Sequence, residues 1–239
     1  MRRAILWVLA SVLVIGGGAV AYLYLAGGSG EPSTELTTPS LATGTTTTED
    51  SAPDTTPPEA PSAFVIDAAQ STATFEIDEV LRGSPQRVIG TTSELAGQIQ
   101  VDPSDLATVE FSPIVVNART FQTGSGNRDR AIRGPVILNS ASDEFELITF
   151  DVTTVDGLSG SLAIGEPVSF TVGGDLLIRD TTTNVTFEVS ATLVDESTIE
   201  GSAESTVLRS DYGIGIPSAP GVADVGDEVV IRLDFVATS

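Results

Sequence analysis

The feature that most constrains this chain is apolar alternation with a period of two residues. Val185, Phe187, Val189, Ala191 and Leu193 carry it, and Val229, Ile231, Leu233 and Phe235 repeat it near the end. Thr74-Phe75-Glu76-Ile77, Ile148 to Val152, and Val168, Phe170 and Val172 show the same period. Side chains two residues apart share one face of a strand, so each set belongs to a half-buried strand. The β-branched residues and phenylalanines suit that geometry. Val115 to Ala118 and Ser205 to Leu208 are weaker strand candidates, and Gly157-Leu158, Gly173-Gly174 and Gly226-Asp227 are turn or bulge positions. Many strands with almost no crossover helix imply an antiparallel barrel or sandwich. Sequence alone does not choose between a filled and a hollow interior, and which face points inward depends on strand register, because a one-residue slip reverses it.

One short helix is predicted over Asn127 to Arg133. Asn127 is its expected cap, Asp129 falls in the favourable first turn, and Pro135 helps end it. The same stretch, NRDRAIRG, concentrates three of the eleven arginines in a chain that has 33 acids, no lysine and a formal net charge of −22. That charge repels nucleic acid and anionic headgroups at long range. Without cysteine or histidine the chain has no disulfide, no thiolate or imidazole chemistry, and no ordinary zinc site. No calcium-loop spacing is present, so neither a metal nor a cofactor is expected. Carboxylate-based hydrolysis is the one enzymatic reading left open, and no carboxylate spacing singles out a pair.

The chain begins with Arg2 and Arg3, then runs uncharged from Ala4 to Ala26. A membrane span needs roughly 20 such residues. The positive-inside rule places the arginines in the cytoplasm and the remainder outside. Residues 1–26 therefore read as a single-pass, signal-anchor type transmembrane helix. The competing reading is a cleaved secretory signal, whose apolar core is usually shorter. Residues 27–62 carry ten threonines, six prolines and six acids, and read as a disordered linker. Residues 63–239 then form one exported all-β domain at the cell membrane. Homo-oligomerisation is left open.

The order of several segments resembles the YceI-like domain family across about residues 63–239. FVIDAAQSTATFEI is similar to its opening strand, and GTTSELAGQIQVDP to the next strand pair. GSGNRDRAIRG, VGGDLLIRDTTTNVTFEV, LRSDYGIG and GDEVVIRLDF follow in the family's order. Gln70 and Arg179-Asp180 stand where the family often has histidine and His-Gly. The resemblance implies an extended, lipocalin-like antiparallel β-barrel with an apolar cavity and no catalytic reaction. It also implies a long amphiphilic ligand such as an isoprenoid quinone, a polyisoprenoid or another lipid. Within that frame Arg128 and Arg133 are candidates for a polar headgroup at the cavity mouth, in competition with structural pairing to nearby acids, backbone carbonyls or Asp129. Tyr212 is a candidate for ring contact with its hydroxyl at the rim. Phe150, Phe170 and Phe187 are candidate lining residues. Arg209 and Asp211 are expected to tie their loop. The alternative function is an envelope interaction domain with a solid β core.

Overall fold

The computed structural model describes residues 27–41, 62–217 and 221–239. The candidate anchor at residues 1–26 and linker residues 42–61 lie outside them. No helix among the described residues is long and apolar enough to cross a membrane.

The domain is an all-β, curled antiparallel half-barrel with one short helix. Its strands are β1 (Ser62–Ile66), β2 (Thr72–Leu81), β3 (Ser84–Thr92), β4 (Leu95–Ala96), β5 (Gln98–Asp102), β6 (Asp105–Phe111) and β7 (Ile114–Asn117). Helix α1 (Gly126–Arg133) follows, then β8 (Leu147–Asp156), β9 (Pro167–Ile178), β10 (Thr181–Asp195), β11 (Thr198–Leu208), β12 (Val222–Ala223) and β13 (Glu228–Thr238). Strands β7 to β11 pair in sequence, and β11 pairs with β13 along its whole length. The other edge of β13 is shared. Val229 to Asp234 pair with β2, while Ala237 and Thr238 pair with β1. The division falls at a 3-10 turn, Ala68–Gln70, whose amide at Ala69 is capped by the Asp67 carboxylate. Gln70 donates to the same carboxylate at 2.6 Å.

The full barrel expected from sequence is only partly closed. β4 meets β7 through Leu95↔Val116 and Ala96↔Val115, and beyond that β3 has one bridge, Thr91↔Gln122. The reason is local: after Asn117 the chain leaves the sheet in a 3-10 turn, Ala118–Thr120, and then enters α1. α1 begins one residue before the predicted cap, with Ser125 at the N-cap and Asn127 inside the first turn. The Asp129 carboxylate instead holds the preceding loop, accepting from the Thr123 amide at 2.9 Å and from its hydroxyl at 2.6 Å.

The long strands have the predicted parity. Phe150 and Val152 of β8, Phe170 and Val172 of β9, and Val189 of β10 all face the interior. Gly173-Gly174 is not a turn. It lies within β9, opposite a register shift at Val152/Thr154 of β8. A Cβ at Gly174 would stand 2.3 Å from the Asp151 carbonyl oxygen and 2.7 Å from Phe150 Cζ. Backbone cannot yield as a flexible side chain can. Gly174→Ala is therefore expected to destabilise the domain by about 1–3 kcal/mol, read from its urea midpoint.

Candidate functional site

The inward faces pack together in part, in a buried cluster that includes Phe64, Leu95, Leu106 and Leu193, and elsewhere they stand apart. They enclose a cavity of about 720 Å³, within the roughly 300–1,000 Å³ of ordinary ligand sites. The interior is therefore not filled throughout. Sheet side chains supply a predominantly apolar wall, as the period-two pattern leads one to expect, with Thr74, Arg209 and Arg232 also reaching it. One end is covered by the loop after β8. Leu106 donates to the Gly160 carbonyl at 2.9 Å, and Leu162 to that of Pro103 at 2.8 Å. The other end is a polar rim. Glu79 and Arg82 come from β2 and its turn, while Asn127 and Arg128 come from α1. Arg82 and Asn127 are exposed yet line the cavity, so the mouth opens there. The loop after residue 220 is tied to this rim by β12–β2 pairing and by a 2.6 Å bond from the Arg82 amide to the Gly221 carbonyl.

Arg128 lines the mouth and has a partner there. Its Nη2 lies 2.8 Å from Glu79 Oε1, and Glu79 is only 7 % exposed. The pair joins α1 to β2 across the opening. Glu79 was missed in the sequence, although a signal existed: it continues the inward parity of Ala73, Phe75 and Ile77. It is the one acid among the described residues lining the cavity, so no second carboxylate faces it there.

Arg133 takes the structural alternative, pairing with a backbone carbonyl. It is buried but does not line the cavity. Its Nε donates to the Gly27 carbonyl at 2.7 Å, because the side chain leaves α1 on the side away from the sheet interior. Tyr212 lines the cavity. It is 1 % exposed, and its hydroxyl accepts from the hydroxyl of Thr183, near the start of β10. Burial pushes its pKa up. Phe150, Phe170 and Phe187 all line the cavity. Phe150 and Phe187 meet edge to face, with centroids 4.8 Å apart.

Arg209 fixes the loop beside Tyr212, with partners other than Asp211. Its Nε donates to the Gly226 carbonyl at 2.8 Å and its Nη1 to that of Ile214 at 2.9 Å. The nearby acid is Asp227, 3.8 Å away. Asp227 also accepts from the Ser210 hydroxyl.

A half-barrel around one apolar cavity, open at a polar rim, defines a lipocalin-like binding module. Residues 64–237 match the model of the YceI-like domain, and the chain belongs to that family. It is similar to BcnA of Burkholderia cenocepacia, at 19 % identity and a TM-score of 0.56, over 72 % of this chain and 99 % of that one. A polyisoprenoid binding domain from Saccharophagus degradans, implicated in plant cell wall breakdown, aligns at 13 % identity and a TM-score of 0.56. That alignment covers 74 % of this chain and 98 % of the other. A UPF0312 protein of Staphylococcus aureus strain N315 is 24 % identical over 162 residues, 65 % of this chain and 84 % of its own.

Proposed function

We propose that this chain is a membrane-tethered, extracytoplasmic carrier or sequestering protein for a long apolar amphiphile, such as an isoprenoid quinone, a polyisoprenoid or another lipid. The observation that carries this reading is the cavity, whose wall is predominantly apolar and whose mouth is polar. Each CH₂ moved from water into it contributes roughly 0.8 kcal/mol, before the ligand's lost freedom is subtracted. The similarity to a polyisoprenoid binding domain supports the ligand class. The uncharged run from Ala4 to Ala26 supports attachment to the membrane. Arg128 and Asn127 stand where a headgroup would end, and a guanidinium presents five donors of which Glu79 takes only part.

The test is native mass spectrometry of the full-length chain taken from its host's membranes. A reproducible mass addition that extracts as an apolar amphiphile is expected. A chain that is folded, intact and free of any such adduct, even after incubation with vesicles of host lipid, would overturn the proposal. Arg128→Ala is expected to weaken retention of the extracted amphiphile several-fold, while Arg133→Ala leaves it unchanged in the folded protein.

A further inference from the structure

The composition of residues 27–62 reads as a spacer, yet its first residues are fixed to the domain. The Gly27 carbonyl accepts from the buried Arg133 guanidinium. A Cβ on Gly27 would meet the Arg130 carbonyl oxygen at 2.2 Å, so this residue lies directly against α1. Gly30 has φ +86°, and a Cβ there would stand 2.7 Å from Arg133 Nη1. The Ser33 amide donates to Glu146 Oε1 at 2.8 Å, and its hydroxyl donates to the other oxygen. Glu146 is 3 % exposed and also accepts from Asn117 at 2.7 Å. Two buried charged side chains therefore complete their hydrogen bonding with a segment that lies outside the family-matched residues 64–237.

This docking changes the reach of the chain. If residues 27–62 were a free coil of 36 residues, its r.m.s. span would be roughly 30–36 Å. With Gly27 held by Arg133, the strap begins one short helix from the cavity mouth. Arg133 to Asn127 is six residues of α1, about 9 Å at 1.5 Å per residue. The polar layer on each side of a bilayer's hydrocarbon is about 5–8 Å thick.

We propose that the strap Gly27–Ser33 seats the domain with its cavity mouth facing the bilayer headgroup layer, so that an amphiphile passes between membrane and cavity at the rim formed by Asn127, Arg128 and Glu79. This rests on the retained anchor of the proposed function. The acidic surface would otherwise be pushed away from anionic headgroups. The strap opposes that repulsion locally and keeps the mouth at high effective concentration near the ligand's source.

The chain has no cysteine, so single labels are unambiguous. Asn127→Cys at the mouth and Ser104→Cys at the covered end are each labelled with bimane in the full-length protein. The protein is reconstituted into vesicles of phosphatidylcholine carrying a headgroup nitroxide. Quenching at position 127 is expected to exceed that at 104 at least threefold. Gly30→Val, which leaves the half-barrel untouched but forbids the docked strap, is expected to abolish that difference while the protein stays in the vesicles. Equal quenching of both labels in the otherwise native, vesicle-bound chain overturns the orientation and leaves the anchor reading standing. A chain whose intact mass lacks residues 1–26, or that does not enter vesicles, overturns both.

Discussion

Replacing Arg119 with alanine is expected to lower the unfolding free energy by about 3 kcal/mol, the low end of what breaking a buried ion pair costs. For a domain of this size that is a fall in Tm of roughly 6–12 °C. Arg119 is 7 % exposed. Its Nε donates to the Ser140 carbonyl at 2.7 Å, and its Nη2 lies 2.7 Å from Asp143 and 3.3 Å from Glu146. Alanine strands those acceptors and leaves Glu146 charged, buried and dependent on Asn117 and Ser33. Burial works to raise the Glu146 pKa. The Ser33 hydroxyl and amide, the Asn117 amide and the Arg119 charge outweigh it and hold the carboxyl below its ordinary value. A carboxyl depressed on folding contributes stability that is present above its unfolded pKa and lost as pH falls through its folded one. Removing Arg119 takes away part of that depression. The gap between variant and native protein is therefore expected to be widest at neutral pH and to narrow as pH drops through the carboxylate range. Urea midpoints at pH 7 and near pH 4 measure this directly. Indistinguishable midpoints at pH 7 would show that the cluster contributes nothing net. Arg119→Lys keeps the charge but loses the planar fork, so an intermediate loss is expected.

The strands were legible because alternation is a local signal. Val185 to Leu193 and Val229 to Phe235 have one inward parity each, and β10 and β13 bear it out. The cavity was not legible in that pattern, since an inward apolar set looks the same whether it meets another set or faces empty space. The sharing of β13 between β1 and β2 depends on long-range pairing and on the turn at Ala68–Gln70. Arg133 shows a different limit. Its neighbours in sequence suggested the mouth, whereas its partner is Gly27, 106 positions away. Serine 33 and Glu146 are likewise 113 positions apart, and nothing in a threonine- and proline-rich segment marks one serine as a ligand for a buried carboxylate. Glu79 was the readable exception: an acid on the apolar parity of a strand has to find a cation or an opening, and it finds both.

Filling the cavity is expected to abolish carriage without unfolding the domain. Ala203 of β11 stands opposite Val189 and Leu233, and all three line the cavity. Ala191, on the neighbouring strand, lines it too. The double variant Ala191→Phe with Ala203→Phe puts two rings into that space. Phenylalanine adds no polar atom that would need a partner. Its ring also gains apolar burial that offsets the strain of repacking, so the urea midpoint is expected to stay within about 1 kcal/mol of native or to rise. The effect on the ligand is larger. Denying it only two methylenes of burial costs about 1.6 kcal/mol, just over tenfold in affinity. Two rings in the path of a long chain exclude more than that, so the adduct seen by native mass spectrometry is expected to disappear. Ser202→Phe is the matched control. It sits one residue away, on the opposite face of β11, where the period of two turns the new ring outward. Retention of the adduct in the control and its loss in the filled variant would place the amphiphile inside the half-barrel. Equal retention in both folded proteins would put it elsewhere and remove the cavity from the mechanism.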